Sequence, residues 1–179
     1  MEKQRLDNLL GALSLAVSDR IRQAVLAETG MHETTIFALV LLSQRPTATI
    51  DTLARLLGLA HSTVVRLVER LSGDGYVERR PGADKRAVIL ELTSTGRATV
   101  DRALSARQVA VEQITARLSS EQQDAMVTMC EQILTMMSGD VVTAVRICRL
   151  CDEGACDLER CPVEQQYRSH ANRPTGISR

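Results

Sequence analysis

Apolar side chains recur every three or four residues through most of this chain, and the phase breaks at a few points that divide it into helices. Leu6, Leu10, Leu13, Val17 and Ile21 share one stripe, which predicts an amphipathic helix over 3–27, ended by Gly30. Ile36, Phe37, Val40 and Leu41 mark a second helix over 33–43, stopped by Pro46 within "QRPTAT". Thr49 is placed to cap a third, 50–57, that buries Leu53, Leu56 and Leu57. After the turn "GLA" comes a fourth, 61–73, with Val64, Leu67, Val68 and Leu71 at i, i+3, i+4 and i+7. Its opposite face carries His61, Ser62, Val65, Arg66, Glu69 and Arg70. Two short helices joined by a tight turn containing Gly are the mark of a helix-turn-helix.

The period then changes. "GYVERR" (75–80) and "RAVILEL" (86–92) flank "PGADK", and Val88, Leu90 and Leu92 alternate along the second run. This predicts a β-hairpin turning at Pro81 and Gly82, a wing on the helix-turn-helix. Helical spacing returns over 94–117 and again over 120–149, with Ser119 and Gln122 forming a capping box between them. A helix of about 30 residues spans ~45 Å. That exceeds the core of a small winged domain, so its stripe must bury elsewhere, most simply against a second copy of the chain. The fold class is therefore mainly α with a small β-hairpin wing: a winged helix-turn-helix plus a helical dimerisation region. The chain divides into an N-terminal dimerisation helix (1–30), a DNA-binding domain (31–96), long C-terminal dimerisation helices (97–147), a cysteine-rich segment (148–162) and a tail expected to be disordered (163–179).

Composition sharpens this picture. With one Phe, two Tyr and no Trp, the core must be aliphatic, which suits helix on helix. No run approaches the ~20 apolar residues of a membrane span, so a cytoplasmic, membrane-free protein is expected. No catalytic triad is visible, and the C-x-x-C pair has no βαβ surroundings; an enzyme is not expected. Net charge is zero, but between Arg55 and Arg86 seven bases oppose four acids. That local excess suits a phosphate backbone.

The run "LARLLGLAHSTVVRLVERLSGDGYVERRPGADKRAVILELTSTGR", Leu53 to Arg97, closely resembles the winged helix-turn-helix of MarR-type transcriptional regulators. The most specific parts are "TVVRLVERL", "GYVERR", and Asp84-Lys85-Arg86 followed by "LT..G". The resemblance implies a homodimer bound to double-stranded DNA, most often a repressor on an inverted-repeat operator, relieved by a small ligand or by oxidation. On that reading the fourth helix enters a major groove, with His61, Ser62, Val65 and Arg66 nearest base edges and Arg70 on the same face. Ser62 and Thr63 at its start suit a phosphate. Arg79, Arg80 and Lys85 belong to the hairpin, and by resemblance Arg86 enters the minor groove braced by Asp84. Many relatives have Ser before this helix where this chain has Ala60. Relatives bind small aromatic or lipophilic acids between the dimer helices and the DNA-binding lobe. The corresponding cleft is expected to include Met31, His32, Phe37, Met126 and Met129.

Four of the five cysteines fall in "CRLCDEGACDLERCP", spaced C-x2-C-x4-C-x4-C: Cys148, Cys151, Cys156 and Cys161. In a reducing compartment such a cluster points to metal more than to disulfides. Four thiolates can surround one tetrahedral zinc ion or hold an iron–sulfur cluster, and metal would supply the folding energy that so polar a segment lacks. Thiol–disulfide switching and unligated cysteines remain open. Cys130 lies in a helical stripe and is expected to be a small buried residue.

Overall fold

The most apolar helix is the centre of the molecule. In the computed structural model, which describes residues 2–82, 88–153 and 156–171, α2 (Glu33–Gln44) buries every side chain from Ile36 to Leu42. Around it stand α1 (Glu2–Thr29), α3 (Ile50–Leu57), α4 (His61–Gly73), the hairpin β1 (Val77–Pro81) and β2 (Val88–Leu92), and α5 (Ser94–Thr115). Leu53, Val64, Val68, Leu71 and Leu90 close the same core. These are the apolar positions that the helical and alternating periods single out.

Local chemistry fixes the joints. Thr49 caps α3 by accepting from the Thr52 N–H at 3.3 Å. Gly58 ends it in the left-handed region, φ 67°, which an L side chain rarely adopts. The strands pair antiparallel, with Val77 opposite Leu92 and Arg79 opposite Leu90. The Leu90 N–H also donates to the Ala48 carbonyl at 2.9 Å, tying the hairpin to the segment before α3. At the hairpin base Thr93 caps α5 and its hydroxyl donates to the Gly75 carbonyl at 2.7 Å. Gly96 lets α5 begin hard against the hairpin: a Cβ there would stand 2.2 Å from the Tyr76 carbonyl oxygen.

The C-terminal half departs from the sequence reading in three ways. The helix expected over 120–149 is two, α6 (Ser120–Met137) and α7 (Val141–Ile147). The break has a cause: Asp140 takes an extended conformation and accepts from the N–H groups of Val142 and Thr143, starting a new helix after Gly139. Residues 163–171, read as tail, continue from Pro162 as α8 (Pro162–Ala171). Pro162 occupies the first helical position, where its missing N–H costs nothing. Cys130 is exposed in this single chain, not buried. The predicted capping box at Ser119 and Gln122 is present.

α1 lies along α5. The Arg20 Nε donates to the Ala110 carbonyl at 3.2 Å, and its guanidinium also reaches Gln113. Both outer helices keep apolar faces in solvent: Leu6, Leu9, Leu10 and Leu13 on α1, and Val127, Met129 and Met136 on α6, which buries no residue at all. Among the described residues no single helix is long and apolar enough to cross a membrane.

Candidate nucleic-acid interface and cysteine site

α4 is divided by its own period. Val64, Leu67, Val68 and Leu71 are buried, while His61, Ser62, Thr63, Arg66 and Arg70 are exposed and Val65 is half-buried. One continuous polar face thus leaves the lobe at the N-terminal end of a helix whose other face is locked into the core. Ala60 is the N-cap, and no side chain caps the helix there. The Thr63 N–H turns back to the Ala60 carbonyl at 2.9 Å, and no side-chain oxygen serves the amides before it. His61 Nε2 instead lies 3.2 Å from Asp51 Oδ1 of α3, which steers the imidazole toward the neighbouring helix.

The two hairpin arginines differ. Arg79 is exposed. Arg80 is paired with Glu78 at 2.7 Å and Glu91 at 3.0 Å. Its hydrogen bond to Glu78, reinforced by the charges of Glu78 and Glu91, raises its pKa above the usual guanidinium value. Arg80 is therefore already paired with two carboxylates, while Arg79 presents its side chain to solvent. Asp84, Lys85 and Arg86 lie outside the described residues.

The cysteines come together across the loop from α7 to α8. Cys148 ends α7 as its C-cap, and Cys151 follows one turn later. The Cys161 carbonyl accepts from the Gln165 N–H at 3.0 Å, at the start of α8. All four clustered thiols line one cavity of about 30 Å³, with Gln44, Arg45 and Glu164 in its wall. They form two pairs. Cys148 donates to Cys151, and that hydrogen bond is the main cause of a Cys151 pKa lowered to about 6, helped by Arg107 and Arg149. The same bond, with burial, drives the Cys148 pKa well up. Burial, the Cys161 charge and a hydrogen bond to Cys161 push Cys156 up to about 11. Among the described residues no three or more His, Cys, Asp or Glu side chains are arranged to hold a metal ion. The donor chemistry suits a soft cation, and its arrangement is two facing pairs around a small space.

A second cavity, about 460 Å³, opens beside this loop. Val17, Ile21, Val25, Ile36 and Leu134 supply apolar wall, and Arg22, Arg107 and Arg149 supply charge. The predicted cleft residues Met31, His32, Phe37, Met126 and Met129 do not line it. Phe37, Met126 and Met129 do lie on helices that border it, α2 and α6, but on other faces, and Met31 and His32 lie between α1 and α2. Sequence periodicity missed Arg107 and Leu134, whose spacing carries no signal beyond an amphipathic helix.

Residues 29–87 match a family model described as MarR family. A comparison with curated proteins finds no match. Among solved structures, the transcriptional regulator Tm0710 from Thermotoga maritima is 29% identical with a TM-score of 0.60, over 75% of this chain and 94% of its own. A MarR family protein from Bacillus stearothermophilus superposes at TM-score 0.67 with 22% identity, over 76% and 96% of the two chains. Sco3205, a MarR family regulator from Streptomyces coelicolor solved in complex with DNA, gives 0.57 with 24% identity, over 76% and 88%. Regulators of this family are DNA-binding proteins, not enzymes. The family match over 29–87, and a fold shared along nearly the whole length of these neighbours, support a winged helix of MarR type in this chain.

Proposed function

We propose that this chain is a homodimeric, cytoplasmic repressor that reads an inverted-repeat operator with α4 and carries a structural metal in its C-terminal cysteine loop. The observation that carries the DNA reading is the exposed face of α4, with Arg66 and Arg70 outward and the opposite face buried. Two such helices, one per protomer, enter successive major grooves about one helical turn apart. Arg66 can take a guanine bidentately, while Ser62, Thr63 and Arg79 hold phosphates. Binding by duplexes selected from a random pool tests this. Arg66→Ala is expected to cost ~1–3 kcal/mol and to relax preference at one position per half-site. Unchanged affinity and unchanged preference would remove α4 from the interface.

For the cysteines, four thiols lining one cavity favour a soft metal ion, in the simplest case a single zinc. Cys148, Cys151, Cys156 and Cys161 would hold the ion, which supplies cohesion to a loop with little apolar content. Elemental analysis of anaerobically purified protein checks this. The expected result is one zinc per chain, lost in each single Cys→Ser change at the four positions and kept in Cys130→Ser. Iron with sulfide would select the cluster instead.

The 460 Å³ cavity supports one further reading, a small lipophilic anion as effector. Its size and apolar wall are those of a ligand site, and its arginines would orient a carboxylate.

A further inference from the structure

α7 is seven residues long, too short to persist unaided. It does not continue α6. It packs on α3, the first helix of the helix-turn-helix, and on α8. One residue makes the junction specific. Arg146 Nε donates to the Leu56 carbonyl at 3.4 Å, in the last turn of α3. Its guanidinium fills the space in front of Gly58: a Cβ on that glycine would stand 1.7 Å from Arg146 Nη2. A cation thus sits on the carbonyl end of α3, where the helix dipole favours it, and against the one left-handed residue of the turn into α4.

Two further ties bring the cysteine loop to the same lobe. Arg149 Nε pairs with Glu33 at the start of α2, 2.9 Å away. Gln44 Nε2, at the end of α2, donates to the Cys151 carbonyl at 3.4 Å. Arg146 lies two residues before Cys148, which caps α7. Whatever closes the four thiols therefore closes α7, and α7 presents Arg146 to the turn.

We propose that the cysteine loop is a strut on the helix-turn-helix, and that Arg146 is its positioning residue, setting the turn at Gly58 from which α4 departs. This rests on the reading that α4 binds DNA, and the zinc reading supplies one way of closing the thiols. With the thiols closed, Arg146 is held on Leu56 and Gly58. With the loop open, α7 frays, the guanidinium leaves, and the turn gains freedom that DNA binding must remove. The state of the cysteine loop is thereby coupled to DNA binding within one protomer.

The test uses the full-length protein and a duplex selected from random DNA by the zinc-loaded wild type. Stripping zinc is expected to weaken wild-type binding about tenfold, with recovery when zinc alone is returned. Arg146→Met should keep its zinc and its dimer, yet bind the duplex about as weakly as stripped wild type and no longer respond to stripping. Arg146→Lys should recover part of the response. Arg117→Ala, an exposed charge beyond α5, should behave as wild type. Hydrogen exchange on the wild type needs no variant: amides 56–61 should exchange faster once zinc is removed.

Wild-type affinity and wild-type zinc response in Arg146→Met would overturn the strut. So would unchanged exchange at 56–61 while the cysteine loop loosens. Should the protein carry no metal, the zinc reading alone fails. The strut then still requires Arg146→Met and the fourfold Cys→Ser variant to weaken DNA binding equally, and unequal effects would overturn it.

Discussion

α2 and α6 are both apolar helices, yet one buries seven consecutive residues and the other none. The contrast divides the molecule by what it needs. The lobe built on α2 is complete within one chain: α3, α4, the hairpin and the start of α5 close over it, and the capping of α3 and α5 is satisfied locally. The outer helices are incomplete. Met136 is 77% exposed and Leu15 70%, a cost no isolated monomer has reason to carry along two helices. A lobe closed within one chain, on helices with uncovered apolar faces, suits the proposed dimer, in which association sets the binding geometry.

Three changes test that division, from the largest effect to the smallest. Leu6→Ser combined with Leu13→Ser should abolish association, removing at least the ~8 kcal/mol that a micromolar dimer represents. Sedimentation would then give the 19.6 kDa chain mass in place of twice that value. The lobe should stay folded by circular dichroism, and an unchanged dimer would show that α1 is not part of the arm. Leu53→Ala, at a site with no exposure, should destabilise the lobe by about 2–5 kcal/mol in chemical denaturation. A loss below 1 kcal/mol would mean that the lobe's core is looser than its burial implies. Ala60→Ser should do the reverse on a small scale. Ala60 is exposed and extended, φ −60° and ψ 141°, and lacks a capping oxygen. A serine there is expected to add about 1 kcal/mol. No gain would mean that His61 or Ser62 already serves the free amides of α4.

The same division explains what the sequence could tell. α4 was legible because one face is buried in its own chain: Val64, Leu67, Val68 and Leu71 follow the period that burial demands. The break between α6 and α7 was not, because Met137, Val141 and Val145 stay in phase across Ser138 and Gly139. The cue was Asp140, a capping residue directly after a glycine. α8 was missed for the opposite reason. It is polar, and Pro162 was taken as an ending although proline also begins helices. The four cysteines were legible as a group from spacing alone, but not their pairing or their seat against α2 and α3. Those depend on Arg146, Arg149 and Gln44, three ordinary polar residues that only the fold brings together.

The close approach at Gly96 makes α5 a lever with its fulcrum at the hairpin. With a carbonyl oxygen 2.2 Å from where a Cβ would stand, any side chain there must tilt the helix away from the wing. α5 runs 22 residues, about 33 Å, so a 5° tilt at its first turn displaces its far end by about 3 Å. α1 rides on that arm. A methyl group at the fulcrum would thus be read out, magnified, at the other end of the helix, and in the proposed dimer it would change the spacing of the two protomers.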